Sequence, residues 1–296
     1  MTRIVSFLPA ATEITYALGA GADLVGRSHE CDYPPQVKAL PVVSKPALSL
    51  DGLSQSEIDS AVAAHLATGE SLYQVDEILL DELSPDIVFT QDLCQVCAPS
   101  GNELSRALRD LAKPPQVLSL TPRNFAEIEE NILAIGEATG RTDAAMLLVQ
   151  DGRERIQRVS EAIAGVQGRR VAFLEWTEPL FCGGHWVPEM VRAAGGYDPL
   201  GQPGGDSRRI TWNDVEAFSP EILIVAPCGY GVKEAIAVAS RLPRSIGADV
   251  YAVDANAYFA RPGPRVAEGI ELLAHIFHPD RFAWPHEGQP WQQITV

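Results

Sequence analysis

No run in this chain approaches the roughly 18 consecutive apolar residues of a membrane-spanning helix, so insertion into a bilayer by that route is excluded. Met1-Thr2-Arg3 leads directly into strand sequence, without an apolar leader and a small-residue cleavage site. Read as it stands, the chain belongs in the cytoplasm; a leader upstream of this start would make it periplasmic. Cysteine is scarce and odd in number: Cys31, Cys94, Cys97, Cys182 and Cys228 are five in 296 residues, which fits a reducing compartment better than a disulfide framework. Positive charge is short as well. Lys and Arg number 23 against 39 Asp and Glu, and the net charge of -16 repels nucleic-acid backbones and anionic membrane surfaces. A Gly-rich phosphate loop, a GxSxG elbow and an HExxH helix are all missing, which leaves nucleotide binding, serine hydrolysis and zinc proteolysis without support.

What is present is an apolar fraction of 46% with 21% charged residues, a globular composition in a chain long enough for two lobes. Arg3 to Leu8 reads as a short apolar strand that passes through Ser6 and Pro9 into an amphipathic helix ending at Gly19. A second strand, Leu24-Val25-Gly26-Arg27, leads to the polar and aromatic loop Cys31-Asp32-Tyr33-Pro34-Pro35. The second half alternates in the same way: strands at 170–175, 222–226 and 250–254, and helices at 188–194, 212–218, 232–241 and 265–277. Strands alternating with helices predict α/β units with mostly parallel sheets.

A weak duplication supports two such units. Leu83-Ser84-Pro85-Asp86-Ile87-Val88-Phe89 echoes Phe218-Ser219-Pro220-Glu221-Ile222-Leu223-Ile224, each a helix end stopped by Pro, then an acidic residue and a buried strand. Ser54 with Glu57 three residues on, followed by Ile58, Val62 and Leu66, predicts a capped helix inside an insert at about 45–75. From Thr142 to Ala164 the pattern is one long helix of roughly 35 Å that connects the halves. The predicted organisation is an N-terminal lobe at 1–141, a connecting helix within 142–168 and a C-terminal lobe with a tail at 169–296. The tail from His278, with Trp284 and Trp291 among Pro and Gly, is expected to wrap a surface without adding an element.

Ligands of open α/β sheets collect at the carboxyl ends of the strands, so a cleft between the lobes is expected there. The residues at those positions are unusually aromatic. Trp176, Phe181, Trp186 and His185 follow the first strand of the second half, and Tyr258, Phe259 and Arg261 follow its last. With Tyr33 and Trp212 they compose a wide apolar surface with a few polar anchors, although aromatics also pack cores. After the strand at 86–90 comes Gln91-Asp92-Leu93-Cys94-Gln95-Val96-Cys97, a CxxC whose thiols can share a metal, form a small disulfide loop or simply pack. Cys182 and His185 would complete a Cys3His metal set with Cys94 and Cys97 if the fold brought them together. A metal-ion carrier or sensor, or a redox protein built on that pair, is the alternative reading.

The motifs Ile4-Val5-Ser6-Phe7-Leu8-Pro9-Ala10-Ala11-Thr12-Glu13, Val25-Gly26 with Asp32-Tyr33-Pro34-Pro35, and the two Ser-Pro-acid turns at 84–86 and 219–221 resemble the substrate-binding proteins of cobalamin and iron-siderophore ABC importers. The similarity is to the cobalamin-binding branch, and the CxxC to a leaderless subgroup of it. The resemblance implies a class III helical-backbone fold, two α/β lobes joined by one long helix, with a ligand clasped between them. It also implies a monomer that binds a corrinoid such as cobalamin, or a similar metal chelate, as ligand rather than as catalytic cofactor, without catalysis. Carried over, Tyr33, Trp176, Phe181 and Trp212 are pocket aromatics; in a chelate-binding protein of this kind Gln91, Asp92 and Arg261 are expected to meet the polar rim of the ligand. An ABC permease is the implied partner. Glu77 and Asp214 are the nearest candidates for its docking residues, one register off the family pattern.

Overall fold

A computed structural model describes residues 2–91, Leu104, Ala107, Leu108, Leu111, 113–243 and 247–295, which divide into two compact units. One comprises Met1–Pro122 with Ala126–Val149; the other comprises Arg123–Phe125 with Gln150–Val296.

In the N-terminal unit, β1 (Ile4–Ser6) is buried throughout and pairs in parallel with β2 (Leu24–Arg27) and β5 (Ile87–Thr90). With β6 (Gln116–Ser119) beyond β5, the order is β2-β1-β5-β6 and all strands are parallel. Helix α1 (Pro9–Ala17) starts on proline, whose fixed φ suits a first helical position, and gives way to Gly19 at φ 74°. The region of the predicted insert holds the antiparallel pair β3 (Ser44–Pro46) and β4 (Tyr73–Val75), with α2 (Gln55–Ala67) between them. The expected cap is there: Ser54 accepts from the Glu57 amide, and Glu57 reaches back to Ser54. Val5, Phe7, Val43, Leu80 and Val88 form the core of the unit with Leu104, Ala107 and Leu111. Helices α3 (Glu77–Leu83), α4 (Phe125–Ala138) and α5 (Thr142–Ala162) complete the first half of the chain. The 21 residues of α5 span about 30 Å and carry the chain from one unit into the next.

The C-terminal unit is a mixed sheet in the order β12 (Trp291–Ile294), β11 (Asp249–Val253), β10 (Ile222–Val225), β7 (Arg169–Thr177) and β8 (Leu180–Cys182), with β9 (Gly196–Tyr197) also paired to β7. Its strands β7, β10 and β11 are parallel, and β9 joins β7 in parallel. β10 is buried at every residue, as the middle of a sheet covered on both faces must be. Helices α6 (Val187–Ala193), α7 (Trp212–Phe218), α8 (Val232–Ala239), α9 (Ala255–Tyr258) and α10 (Val266–Phe277) follow in chain order. Two of the departures from the sequence expectation shape the sheet. The first strand does not stop near 175 but turns back at Glu178-Pro179 into antiparallel β8 (Leu180–Cys182).

The second difference corrects the reading of the tail. Trp291–Ile294 forms β12, an antiparallel strand on β11 that spans Val250↔Ile294 to Val253↔Trp291. An open edge of β11 would expose a row of unpaired backbone groups, and the tail covers it. Aromatic and ionic contacts hold the tail in place. The Trp284 ring lies 5.7 Å from Trp291 and 6.1 Å from Tyr258, and His286 Nε2 is 2.7 Å from Glu271 Oε2. Burial raises the Glu271 pKa, but hydrogen bonds from Arg155 and His286 outweigh it and hold the carboxyl below its ordinary range.

The duplication in the sequence is a duplication in hydrogen bonding. Ser84 and Ser219 both take left-handed backbone at the ends of α3 and α7, with φ of 42° and 51°. Asp86 accepts from the Arg3 amide at 3.0 Å, and Glu221 accepts from the Arg170 amide at 2.9 Å. Arg3 Nε donates to the Leu83 carbonyl at 2.7 Å, and Arg170 Nε donates to the Ser219 carbonyl at 2.9 Å. The same corner therefore locks the amino ends of both sheets.

Candidate functional site

Parallel strands deliver their following loops to one edge of a sheet, and each unit has such an edge. In the N-terminal unit, Ser28 to Lys38 follows β2 and is braced from below by Arg27. Its Nη1 donates to the carbonyls of Ser28 at 3.0 Å and Cys31 at 3.1 Å, and its Nη2 donates to Lys38 at 3.3 Å. Cys31 is buried and its Sγ accepts from Thr12 Oγ1 at 3.1 Å, so this thiol is internal. On that base Tyr33 stands 45% exposed. His29 contacts β3 and β4: Nδ1 is 3.0 Å from Ser44 Oγ, and its ring centre lies 5.6 Å from that of Tyr73. Gln91 sits half-buried just past β5. Asp92, Cys94 and Cys97 lie outside the described residues.

In the C-terminal unit the hairpin of β7 and β8 sets the geometry. Leu180 and Cys182 alternate into the core beside Ala172, Leu174 and Val225, so Phe181 between them faces the other way. Phe181 is directly opposite Trp176. The Trp176 indole is held by its N–H to the Glu178 carbonyl at 3.1 Å and meets the Tyr230 ring at 5.5 Å, edge to face. Arg209, on a segment bridged to β8, places its guanidinium carbon 5.6 Å from the centre of the Phe181 ring. Trp176, Phe181, Tyr230 and Arg209 thus form one aromatic patch with a cation at its margin.

Beside the patch, Glu175 at the end of β7 ties two loops together. Its carboxylate accepts from the Gly184 amide at 2.9 Å and from the Ser207 hydroxyl. Gly184 has no room for a side chain, because a Cβ there would come within 2.3 Å of the Ser207 nitrogen. The clamp presents His185, whose Nε2 is 3.3 Å from Asp206 Oδ1, and Asp206 in turn meets Arg123 at 3.4 Å. Burial lowers the His185 pKa and outweighs the opposing pull of Asp206, which disfavours the imidazolium.

The remaining sequence candidates of this unit make other contacts. Phe259 is 2% exposed and packs edge to face on Phe173 at 5.2 Å, inside the core. The sequence put it just past a strand, but the chain there enters the short helix α9 and turns the ring inward. Tyr258 faces the tail through Trp284 and lies under Arg265. Arg261 is buried, with Nη2 donating to Asn256 Oδ1 at 3.0 Å. Trp212, in the first turn of α7, packs partly buried against the core cluster. Cys182, of the sequence-read metal set, is fully buried among apolar side chains, and burial raises its pKa. Among the described residues no group of His, Cys, Asp and Glu is arranged to hold a metal ion. Tyr230 was missed by sequence reading although it follows β10, where the strand-end rule applies. Arg209 had no sequence signal, because only the bridge to β8 brings it to Phe181.

A family model described as periplasmic binding protein matches residues 4–242. The chain belongs to this periplasmic binding protein family. Among curated relatives of this family member, the vitamin B12-binding protein of Vibrio cholerae serotype O1 is 26% identical over 284 residues, covering 92% of this chain and 87% of the relative. An uncharacterised ABC transporter substrate-binding lipoprotein of Bacillus subtilis is 27% identical over 294 residues, covering 95% and 81%. Among solved structures, a periplasmic heme-binding protein from Pseudomonas aeruginosa superposes with a TM-score of 0.75 at 18% identity, covering 100% of this chain and 98% of that one. The periplasmic vitamin B12-binding protein of Vibrio cholerae gives 0.65 at 22%, covering 94% and 96%. The fold of this family member is accordingly the expected class III α/β architecture with parallel sheets. By their descriptions these relatives and structures are binding proteins: the Bacillus subtilis relative a substrate-binding lipoprotein of an ABC transporter, the two solved structures periplasmic. No helix among the described residues is long and apolar enough to cross a membrane.

Proposed function

We propose that this chain is the substrate-binding component of an ABC importer or a carrier of the same kind, and that its ligand is cobalamin, a related corrinoid or a similar flat metal chelate. The observation that carries the reading is the Trp176–Phe181–Tyr230 patch at the carboxyl ends of β7 and β10. Flat rings cover the apolar face of a macrocycle at little entropic cost, because each aromatic has only two side-chain torsions to fix. Sequence similarity to vitamin B12-binding proteins and fold similarity to heme-binding proteins support a ligand of this size. Tyr33 and Gln91 of the N-terminal unit, and His185 and Trp212 of the C-terminal unit, are further proposed contacts. Asp92 and Cys94 keep that role from the sequence alone.

Binding of this sort needs no bond-making chemistry, and Ser207 is committed to Glu175 as a structural tie. The partner is proposed to be an ABC permease that docks near the first turns of α3 and α7, where Glu77 and Asp214 lie. Asp214 also closes the capping box of α7 with Thr211, so part of its charge serves the helix. Titration of the purified protein with cobalamin and with hemin, followed by calorimetry and by the shift of the metal chromophore, tests the reading. Saturable one-to-one binding of either is expected; no binding of any corrinoid or porphyrin would remove it.

A further inference from the structure

We propose that Glu175 is the positioning residue of this site: it is the extra residue of a β-bulge that turns Trp176 onto the face of Phe181, and its carboxylate holds that turn in place. The proposal rests on the chelate-binding reading and names what assembles its aromatic surface. In the β7–β8 pair Leu174 is opposite Cys182 and Trp176 is opposite Phe181, so two steps along β7 match one step along β8. Glu175 is the residue in excess. Residues two apart on a regular strand share a face, and Leu174 lies in the apolar core with Cys182. Without the bulge, Trp176 would follow Leu174 into that core. With it, Trp176 joins the opposite face, where Phe181 stands between the core residues Leu180 and Cys182.

Hydrogen bonds on both sides fix the bulge. The Glu175 carboxylate accepts from the Gly184 amide at 2.9 Å and from the Ser207 hydroxyl, which ties the extra residue to the chain just past β8 and to the segment that bridges β8. Its main-chain carbonyl accepts from the Cys228 amide at 3.1 Å. Cys228 is two residues before Tyr230, whose ring meets Trp176 at 5.5 Å, so the same residue sets both members of the edge-to-face pair. Rings fixed before a ligand arrives lose little freedom on binding, and the ordering entropy not lost appears as affinity. The role requires the tie and not the charge. A glutamine at this position can accept from the Gly184 amide through Oε1 and donate to Ser207 Oγ through Nε2.

The test titrates cyanocobalamin and hemin by calorimetry into wild type, Glu175→Ala, Glu175→Gln and Ser207→Ala. It also follows the Trp176 fluorine resonance in ligand-free protein labelled with 5-fluorotryptophan, assigned from Trp176→Phe. Glu175→Ala should bind the chelate about tenfold more weakly and should shift or broaden the Trp176 resonance before any ligand is added. Ser207→Ala should move both readouts in the same direction by less, and it decides the role if Glu175→Ala does not fold. Glu175→Gln should stay close to wild type in both, the rescue expected of a tie. Weaker affinity with an unchanged Trp176 resonance would overturn the positioning role in favour of direct contact with the ligand. A resonance that is the same in every variant, or Glu175→Gln as impaired as Glu175→Ala, would overturn it as well. If wild type binds neither ligand the chelate reading ends, and the resonance alone still decides the role of Glu175.

Discussion

The two units are near copies at the amino ends of their sheets and unlike at the carboxyl ends. At the amino ends, Asp86 and Glu221 accept from the amides of Arg3 and Arg170, and both corners turn on a left-handed serine. At the carboxyl ends, among the described residues, the N-terminal unit offers a braced polar loop with the exposed Tyr33, and the C-terminal unit offers an aromatic patch with a cation. A second divergence lies inside the sheets. β2 pairs with β1 over three residue pairs, but β9 pairs with β7 over only two, after which the Asp198 carboxylate takes over and accepts from the Phe173 amide at 3.0 Å and the Leu200 amide at 2.9 Å. The difference teaches where the duplicated scaffold was free to change: the corners hold the strands in register, and the far ends carry the chemistry.

The largest expected effect tests the contrast at the carboxyl ends. Trp176→Ala should weaken corrinoid binding about 100-fold, as loss of a central aromatic anchor does, whereas Tyr33→Ala should cost less than about tenfold. Equal losses in calorimetric titration would erase the asymmetry between the units. Next comes the clamp below the patch. Gly184→Ala should destabilise by about 2 kcal/mol in urea denaturation, because the new Cβ strikes the backbone of Ser207. Gly152→Ala, in α5 with open space around it, should be neutral or stabilising, which shows that the cost belongs to the clamp and not to glycine replacement.

A smaller effect isolates Asp198. Burial raises its pKa from 3.8 to about 6 against the pull of its backbone hydrogen bonds and of Arg208. The folded state thus holds this proton more tightly than the unfolded chain does. The stabilisation is full below about pH 4 and is lost as pH rises through 6. Relative to Asp198→Asn, wild-type unfolding free energy should fall by about 1–2 kcal/mol between pH 4 and 7, a figure discounted for partial exposure. A parallel profile in the two proteins would mean that Asp198 does not titrate in this range. The smallest effect is at the corner. Lys113 and the Arg3 amide hold the Asp86 carboxyl below its ordinary range, so its contribution is present at neutral pH and lost as pH falls through the folded pKa. Asp86→Asn should therefore narrow the gap between neutral and acid stability slightly, and high salt should narrow it in wild type.

Much of the scaffold was legible because it is written in local rules. The run Trp212–Phe218, the Ser54–Glu57 cap and the Ser-Pro-acid turns depend on helix periodicity, on capping and on the inability of proline to continue a helix, all readable within a few residues. The tail was misread because its strand exists only by virtue of the β11 edge it covers. Among the candidate residues, position past a strand pointed to Trp176, Phe181 and Phe259 alike, since strand order says where a loop emerges and not which way a ring turns.

Sequence alone therefore determined the class of fold, the duplicated corners and the aromatic character of the strand ends, because each depends on near neighbours along the chain. Which aromatics share a face, which cysteine is interred in the core and which arginine meets Phe181 were decided only by tertiary structure. Those facts come from cross-strand register and packing between residues far apart in sequence, where no local pattern carries the information.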